Sequence, residues 1–478
     1  MKPTRKGISF AWTQLDSRFL PFADAATPEL PMGRLLRLSL FQVTVGMAIA
    51  LLVGTLNRVM IVELAVPAWI VAIMVSLPLV FAPFRALVGH KSDTHKSLLG
   101  WKRVPYIWLG TMLQFGGFAI MPMALILLSG DSIAPAWFGT LAAALAFLLV
   151  GVGLHTVQTI GLALATDLAP VHARPKVVAL LCMMLFVGMI GSALLFGALL
   201  ADFRPVKLIQ VIQSAAVITM VLNTIALWKQ EARNPAATAP TKPRPTFRQA
   251  WAAFMGGGAG ARRHMVATAC GTVAFSMSDI LLEPFGGQIL HLSVSATTML
   301  TATLAVGSAV GLGLAARMLG RGADAYRVAA LGVMAGLAAF SAVVFSAPLQ
   351  SALLFGIGTL LIGFGGGMFA HGTLTATMAL AKGDDEGLAL GTWGAVQASA
   401  AGLAIASGGI IRDLVGELAT RGVVGPAFAD PAIGYQIVYH IEIAFLFASL
   451  IVLGPMVRAH ADSRILPEPK SQLSLSTS

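Results

Sequence analysis

Two histidines lie inside long apolar stretches of the chain, and they are the first candidates for chemistry. His155 follows the glycine-containing stretch 151–154, and His371 follows a glycine-rich stretch that begins at Gly363. A polar side chain is costly inside a membrane, so a histidine there marks a functional site or a hydrogen bond between helices. A neutral imidazole nitrogen is a good axial ligand for the metal ion of a flat macrocycle. The small neighbours would let such a ring, or another helix, approach closely.

A glutamine and two acids extend this set of intramembrane polar groups. Gln158 can bond a ring carbonyl or a metal-bound water, or it can simply hold two helices together. Asp279 and Glu283, four residues apart, would share one face of a helix and could couple transport to protons. Because Pro284 and glycines follow at once, the acids could instead lie where the helix breaks near the outer surface. The sequence contains no phosphate loop, His-Glu-x-x-His or nucleophile elbow, so we expect no enzyme.

These side chains need membrane helices to hold them, and the composition predicts such helices. The 478 residues are 57% hydrophobic and 11% charged, with a mean hydropathy of +0.82, whereas soluble domains carry about 25% charge. Twelve apolar runs predict an all-α membrane protein with 12 transmembrane helices in two six-helix halves. The predicted segments are a tail at 1–34, which is an interfacial helix or irregular, a first half at 35–228, a linker at 229–263, a second half at 264–457 and a tail at 458–478.

The basic residues predict the orientation of these helices. With both termini and the linker in the cytoplasm, only five of the 32 lysines and arginines fall on the other side. Those five are Arg58, Arg204, Lys207, Arg412 and Arg421. Such a bias is typical of the positive-inside rule. The topology therefore explains the net charge of +11, and we expect no nucleic-acid partner.

The two halves show an internal repeat. Gly89-x-x-x-Asp93 follows the second apolar run, and Gly320-x-x-x-Asp324 follows the eighth. In the first copy Gly89 permits a sharp turn, and Asp93 can face a helix N-terminus or a nearby arginine. In both halves a glycine-rich stretch also precedes the membrane histidine, and an acid follows twelve or thirteen residues later. We interpret the two histidines as occupying matching positions in related halves.

The stretch from residue 83 to residue 108 carries a family resemblance. It reads Pro-Phe-Arg-Ala-Leu-Val-Gly-His-Lys-Ser-Asp-Thr and continues with Leu-Gly-Trp-Lys-Arg-Val-Pro-Tyr-Ile-Trp from residue 99. This sequence resembles the PucC family, also called the bacteriochlorophyll delivery family, a branch of the major facilitator superfamily in photosynthetic bacteria. The motif residues, with their counterparts later in the chain, are Arg85, Gly89, Asp93, Lys102, Arg103, Asp167, Arg174, Gly320 and Asp324. We expect the basic residues of this loop to hold the helix ends at the lipid headgroups.

The resemblance implies assembly of light-harvesting antenna complexes, by delivery of bacteriochlorophyll or by chaperoning of antenna polypeptides. It implies bacteriochlorophyll as cofactor and a place in the photosynthetic inner membrane, among lipids. It also implies antenna polypeptides, the reaction centre with its core antenna, and bacteriochlorophyll synthase as partners. The tail segments 12–15 and 20–24 favour the branch that serves the core antenna. We predict His155, His371 and Gln158 as the pigment-binding residues.

Two other functions stay open on the sequence. One is a proton-coupled secondary transporter of a small solute, with Asp279 and Glu283, or Asp167, as coupling groups. The other is a scaffold that binds antenna helices and no pigment, through its glycine-rich helix faces.

Overall fold

The structure is a computed structural model that describes residues 30–80, 101, 103–130, 135–170, 173–231, 259–380, 386–422, 425 and 430–465. Several sequence predictions fall outside these ranges. They are the loop residues Arg85, Gly89, Asp93 and Lys102, most of the linker and most of both tails. The predicted domain boundaries therefore stay predictions.

All regular secondary structure in the described ranges is helical. The helices are α1 (Met32–Glu63), α2 (Ala68–Val80), α3 (Val104–Leu128), α4 (Ala136–Leu168), α5 (Arg174–Leu199), α6 (Pro205–Leu227), α7 (Ala259–Ser276), α8 (Leu282–Gln288), α9 (Val294–Gly320), α10 (Ala325–Ser346), α11 (Ala352–Leu380), α12 (Glu386–Thr420) and α13 (Ile433–Ile465). Ten of them are long and apolar enough to cross a membrane. The chain is thus a multi-pass membrane protein with an all-helical fold.

The repeat motif of the second half forms a capped turn between two helices. Gly320 ends α9, and Gly322 takes the left-handed backbone conformation that lets the chain reverse. The Asp324 carboxylate then accepts a hydrogen bond from the backbone nitrogen of Arg327 at 2.8 Å and caps α10. A helix N-terminus is one of the two partners predicted for Asp93 of the first copy, which lies outside the described residues.

Glycines allow two pairs of helices to cross at close range. A Cβ atom built on Gly153 of α4 would lie 2.6 Å from the carbonyl oxygen of Gly110 in α3. In the same way, a Cβ on Gly365 of α11 would lie 2.6 Å from the carbonyl oxygen of Gly332 in α10. Only glycine permits such an approach of two backbones. The matched crossings give the two halves a common internal reference point.

This reference point corrects the predicted match between the two histidines. His155 follows Gly153 by two residues, whereas His371 follows Gly365 by six. The histidines are therefore offset by about one helical turn. The residue that corresponds to His155 is Gly367, which packs so tightly on α9 that a Cβ would lie 2.5 Å from the carbonyl oxygen of Ser308.

The helix ends define two faces of the molecule. We call the face that carries Arg34, Arg103 and Arg174 the basic face, and the face that carries Glu63 and Gln288 the opposite face. Helix α1 begins at the basic face, since Arg34 bonds to Gln230 just beyond the end of α6. Helices α3 and α7 also begin there. The described contacts between α1–α6 and α7–α13 lie toward the opposite face.

Candidate functional site

A cavity of about 190 Å³ lies between the two halves in the middle of the bundle. Its lining comes from α1, α2, α4, α12 and the turn between α7 and α8, and consists of Ile49, Leu52, Val53, Met74, Val75, Pro78, Leu79, Phe147, Gly151, Leu154, His155, Asp279 and Ile405. Of these described residues, only His155 and Asp279 carry ionisable side chains. The structure therefore places His155 beside the cavity together with Asp279, and it does not bring His371 there.

Helix α4 presents His155 to this cavity because its other faces are packed. Gly151 lies against the ring of Pro78, Gly153 against α3, and Gly161 against the ring of Phe41. Gln158 is one turn further along the same face as His155, toward the basic face. The sequence-predicted pair on α4 therefore shares a face, but among described residues only the histidine borders the cavity.

Polar contacts join the two halves on the opposite-face side of the cavity. The hydroxyl oxygens of Thr55 and Thr298 lie 3.4 Å apart, and the amide nitrogen of Asn57 donates to the carbonyl oxygen of Ile280 at 3.1 Å. This part of α1 is π-helical over Ala50–Leu56 and Val59–Glu63. π-Helical turns are common at functional sites, and here they border both the cavity and the contact with α9.

Arg58 belongs to the same contact region. Its guanidinium forms an ion pair with the Glu63 carboxylate. However, Arg58 is only 5% exposed and its guanidinium also donates to the carbonyl oxygen of Leu292 at 3.3 Å. The arginine is therefore a buried link between α1 and the segment before α9, rather than a residue of an open surface.

The break between α7 and α8 corrects the predicted acidic pair. Helix α7 ends at Ser276, so Asp279 lies in the turn while Glu283 lies in α8. The prediction that the two acids share a helix face is wrong, and the alternative of a helix break is confirmed. Asp279 borders the cavity, and the Glu283 carboxylate accepts a hydrogen bond from Thr301 at 2.9 Å.

A carboxylate from α13 caps this break. The Oε1 atom of Glu442 accepts a hydrogen bond from the backbone nitrogen of Ser278 at 2.7 Å. Within the part of the chain that the structure describes, the second oxygens of Glu442 and Glu283 have no hydrogen-bond partner. The interior next to the cavity therefore holds two buried carboxyl groups with spare hydrogen-bonding capacity.

The second half holds one buried histidine that the sequence analysis missed. His264 in α7 is fully buried, and its Nε2 atom lies 2.7 Å from the hydroxyl oxygen of Thr377 in α11. His264 directly follows two arginines at 262–263, so the sequence placed it at the end of the charged linker and gave no sign that it is buried. His371, in contrast, is half-buried in α11 on the face toward α9.

Two residues of the family motif meet at the basic face. The Nε atom of Arg103 lies 2.9 Å from the Asp167 carboxylate, and Arg103 is 5% exposed. Arg103 is therefore a buried partner of α4, which corrects its predicted place among the headgroup anchors. Arg174 is exposed, and its Nε atom donates to the carbonyl oxygen of Ala169 at 3.4 Å.

A second, larger cavity of about 720 Å³ opens at the basic face. It lies between the start of α1, the start of α3 and the end of α6, and its lining includes Trp101, Trp108 and Trp228. Sequence alone does not reveal this cavity, because the tryptophans are separated in the chain and come together only in the folded bundle.

The two cavities differ in what they can hold. Pockets for drug-sized ligands measure about 300–1,000 Å³. The cavity of about 190 Å³ beside His155 is smaller, so the residues as arranged do not enclose a bacteriochlorophyll macrocycle. The ligand roles of His155, His371 and Gln158 stay predictions.

The helical bundle has the same fold as solved membrane transporters. A nucleoside transporter, NupG (D323A mutant), superposes with a TM-score of 0.65 at 14% identity, over 88% of this chain and 99% of that one. A bacterial homologue of the iron transporter ferroportin, in its inward-facing state, gives a TM-score of 0.64 at 14% identity, over 88% of this chain and 98% of that one.

Sequence comparison narrows this class to one family. The family described as PUCC protein matches residues 55–461, and the chain belongs to it. Protein PucC of Rhodovulum sulfidophilum is 62% identical over 83% of this chain and 89% of its own length. Protein PucC of Cereibacter sphaeroides is 52% identical over 95% of this chain and 98% of its own length.

Proposed function

We propose that this protein is an assembly factor for bacterial light-harvesting antenna complexes, and not an enzyme. It delivers bacteriochlorophyll, chaperones antenna polypeptides, or does both within the photosynthetic inner membrane. The observation that carries the proposal is the match to the PucC family over residues 55–461, which spans nearly the whole helical bundle. In this proposal the chain has twelve spans with both termini in the cytoplasm, so the basic face is cytoplasmic.

The arrangement of the halves supports handling of clients from the basic face or from the surrounding lipid. The described contacts between the halves lie toward the opposite face, and the larger cavity opens at the basic face. A flat, apolar pigment is insoluble in water, so its transfer should take place within the bilayer. Neither step requires the opposite face to open.

The test is purification from a photosynthetic host in mild detergent, with a near-infrared spectrum and a list of co-purifying proteins. A bacteriochlorophyll band that stays after antenna subunits are stripped would support delivery of pigment. Antenna polypeptides without such a band would support a pure chaperone. If neither co-purifies, the proposed function fails. Changing His155 or His371 to leucine tests each predicted ligand separately.

A second question is which antenna the protein serves, and the same photosynthetic host can answer it. The tail segments that favoured the core antenna lie outside the described residues. Both relatives carry the name Protein PucC, and the family resemblance implies that the branch of this name serves the peripheral antenna. Deletion of the gene separates these clients, since the core and peripheral antennas have distinct near-infrared bands.

A proton-coupled transporter is the second candidate function, and one observation favours it. Next to the central cavity, Glu283 and Glu442 are buried and each keeps one oxygen without a partner among the described residues. Ionisable groups buried within a membrane protein are typical of proton relays in transporters. Proton-driven solute uptake into vesicles, lost in Glu283→Gln, would support this function.

A further inference from the structure

Three of the chain's eight tryptophans surround the cavity of about 720 Å³ at the basic face. We call this cavity the tryptophan groove; its described lining is Arg34, Trp101, Val104, Trp108, Thr224, Leu227, Trp228, Lys229, Gln230 and Glu231. Trp108 and Trp228 are 42% and 61% exposed. Their indole rings are therefore accessible to a molecule in the groove.

Specific contacts hold the walls of the groove in place. The Arg34 guanidinium donates to the side-chain oxygen of Gln230 at 3.0 Å and to its backbone carbonyl at 2.6 Å. The Glu231 carboxylate accepts hydrogen bonds from the backbone nitrogens of Arg103 and Val104 at 2.9–3.1 Å, which joins the end of α6 to the start of α3. The groove is thus a built feature of three helix ends.

These contacts decide what the groove offers to a ligand. The Glu231 carboxylate is engaged in capping α3, which partly neutralises its charge. The exposed Lys229 ammonium and the indole N–H groups of Trp108 and Trp228 are hydrogen-bond donors. The rest of the lining presents aromatic and aliphatic surface. The matching ligand is a flat apolar ring that carries hydrogen-bond acceptors on its edge.

We propose that the tryptophan groove binds the ring of a magnesium tetrapyrrole of the bacteriochlorophyll class and leaves the apolar tail in the lipid. This inference rests on the proposed function. The volume lies within the range of ligand pockets, unlike that of the cavity beside His155. Indole faces pack well on a flat ring. An acyl chain would pack equally well on leucine and valine, so three indoles favour a ring over a lipid tail.

The residues of the groove determine whether the magnesium ion of the ring receives a ligand from the protein. Its described lining contains no histidine, and in this proposal packing and edge hydrogen bonds hold the ring. A pigment bound in this way can leave for an antenna polypeptide that supplies a histidine. It also follows that a magnesium-free pigment binds the groove as well as the magnesium pigment does.

The experiment uses the full-length protein in nanodiscs of zwitterionic lipid. Bacteriochlorophyll and its magnesium-free form are titrated separately, and binding is read from tryptophan fluorescence and from circular dichroism of the pigment. The test variant is Trp108→Leu with Trp228→Leu. The matched control is Trp137→Leu, because Trp137 is 62% exposed and lies at the start of α4, on the opposite face. His155→Leu is titrated in parallel, because His155 is a ligand predicted from the sequence.

We expect similar apparent Kd values for the two pigments, and an apparent Kd about tenfold higher in the double variant. Trp137→Leu should bind as the unmodified protein does. Unchanged pigment binding by the double variant would overturn the proposal, as would binding of the magnesium pigment alone that His155→Leu abolishes. Quenching of Trp108 and Trp228 by anionic lipid but not by pigment would overturn it in favour of a lipid site.

The proposed function is judged separately, in a strain that lacks the gene. If antenna assembly depends on the protein while the double variant binds pigment normally, the groove proposal fails and the proposed function stands. If antenna assembly does not depend on the protein, the proposed function fails whatever the groove binds.

Discussion

At the scale of single residues, charged side chains in this protein act mainly as partners of helix ends. Arg103 lies in a basic loop, yet its side chain is buried and reaches the Asp167 carboxylate at the end of α4. Glu231 and Glu442 accept hydrogen bonds from backbone nitrogens at the start of α3 and at the break after α7. In an apolar surrounding these backbone groups need such partners, since an unpaired one is costly.

The pair of Arg103 and Asp167 should contribute measurably to stability. We expect Asp167→Asn to lower the free energy of unfolding by about 1–2 kcal/mol, because it weakens a charge-assisted bond to a buried guanidinium. The measurement is thermal unfolding in detergent. Arg174→Ala is the control, since Arg174 is exposed and makes only a long hydrogen bond. Equal melting temperatures for both variants would show that the pair contributes nothing.

The capping role of Glu442 gives a second test at this scale. Glu442→Gln keeps an oxygen that can accept from the Ser278 nitrogen, whereas Glu442→Leu leaves that nitrogen without an acceptor. We expect the leucine variant to lose about 1–3 kcal/mol of stability and the glutamine variant to stay close to the unmodified protein. If both variants melt alike, the hydrogen bond is not what holds the break. A glutamine variant that folds but loses proton-driven uptake would instead favour the transporter.

At the scale of elements, glycines decide how closely the helices cross. The crossings of α3 with α4 and of α10 with α11 use glycine on both helices, and the repeat places them at corresponding points. The break between α7 and α8 and the π-helical part of α1 lie together beside the central cavity. Irregular backbone at membrane depth is tolerated where protein buries it or where it lines a cavity.

Substitution of one crossing glycine should separate two helices. We expect Gly153→Ala to lower the free energy of unfolding by about 1–3 kcal/mol. The added methyl group meets the Gly110 backbone, which cannot move aside as the end of a flexible side chain would. Gly116→Ala in α3 is the matched control, since a Cβ there has no neighbour within 4 Å. Comparison of the two melting temperatures tests the prediction, and it fails if Gly153→Ala is as stable as the control.

At the scale of the whole molecule, the two halves meet toward one face. Thr55 contacts Thr298, Asn57 contacts the turn after α7, and the Asp413 carboxylate accepts a hydrogen bond from the first turn of α2. The central cavity lies on the basic-face side of these contacts. Delivery or chaperoning from the basic face leaves this contact region closed, whereas alternating access would have to open it.

A disulfide across the contact region separates these two modes of action. We expect Thr55→Cys with Thr298→Cys, in a background without Cys182 and Cys270, to cross-link under mild oxidation, because the two hydroxyl oxygens lie 3.4 Å apart. A protease site in the 229–263 linker would reveal the bond as two fragments held together on a non-reducing gel. We expect the cross-linked protein to support antenna assembly. Assembly that is lost on oxidation and restored by a reductant would contradict this expectation.

The sequence by itself determined that the chain is a multi-pass helical membrane protein of the PucC family. Membrane-spanning helices can be predicted from hydropathy without knowledge of tertiary contacts, because the bilayer imposes a minimum length on each apolar helix. The helix break near Asp279 and the cap at Asp324 were also predictable, since proline, glycine and aspartate act through their own backbone.

Only the tertiary structure decided which of these side chains meet. Residue spacing predicted matching positions for His155 and His371 and a shared helix face for Asp279 and Glu283. The glycine crossings instead offset the two histidines by about one helical turn, and the helix break places the two acids in different segments. The same packing joined Arg103 to Asp167, His155 to the cavity with Asp279, and three distant tryptophans to one groove. The physical reason is that helices with apolar residues on all sides carry no sequence signal for the face each turns toward its neighbours. Close contacts at small residues choose that face, and they exist only in the folded bundle.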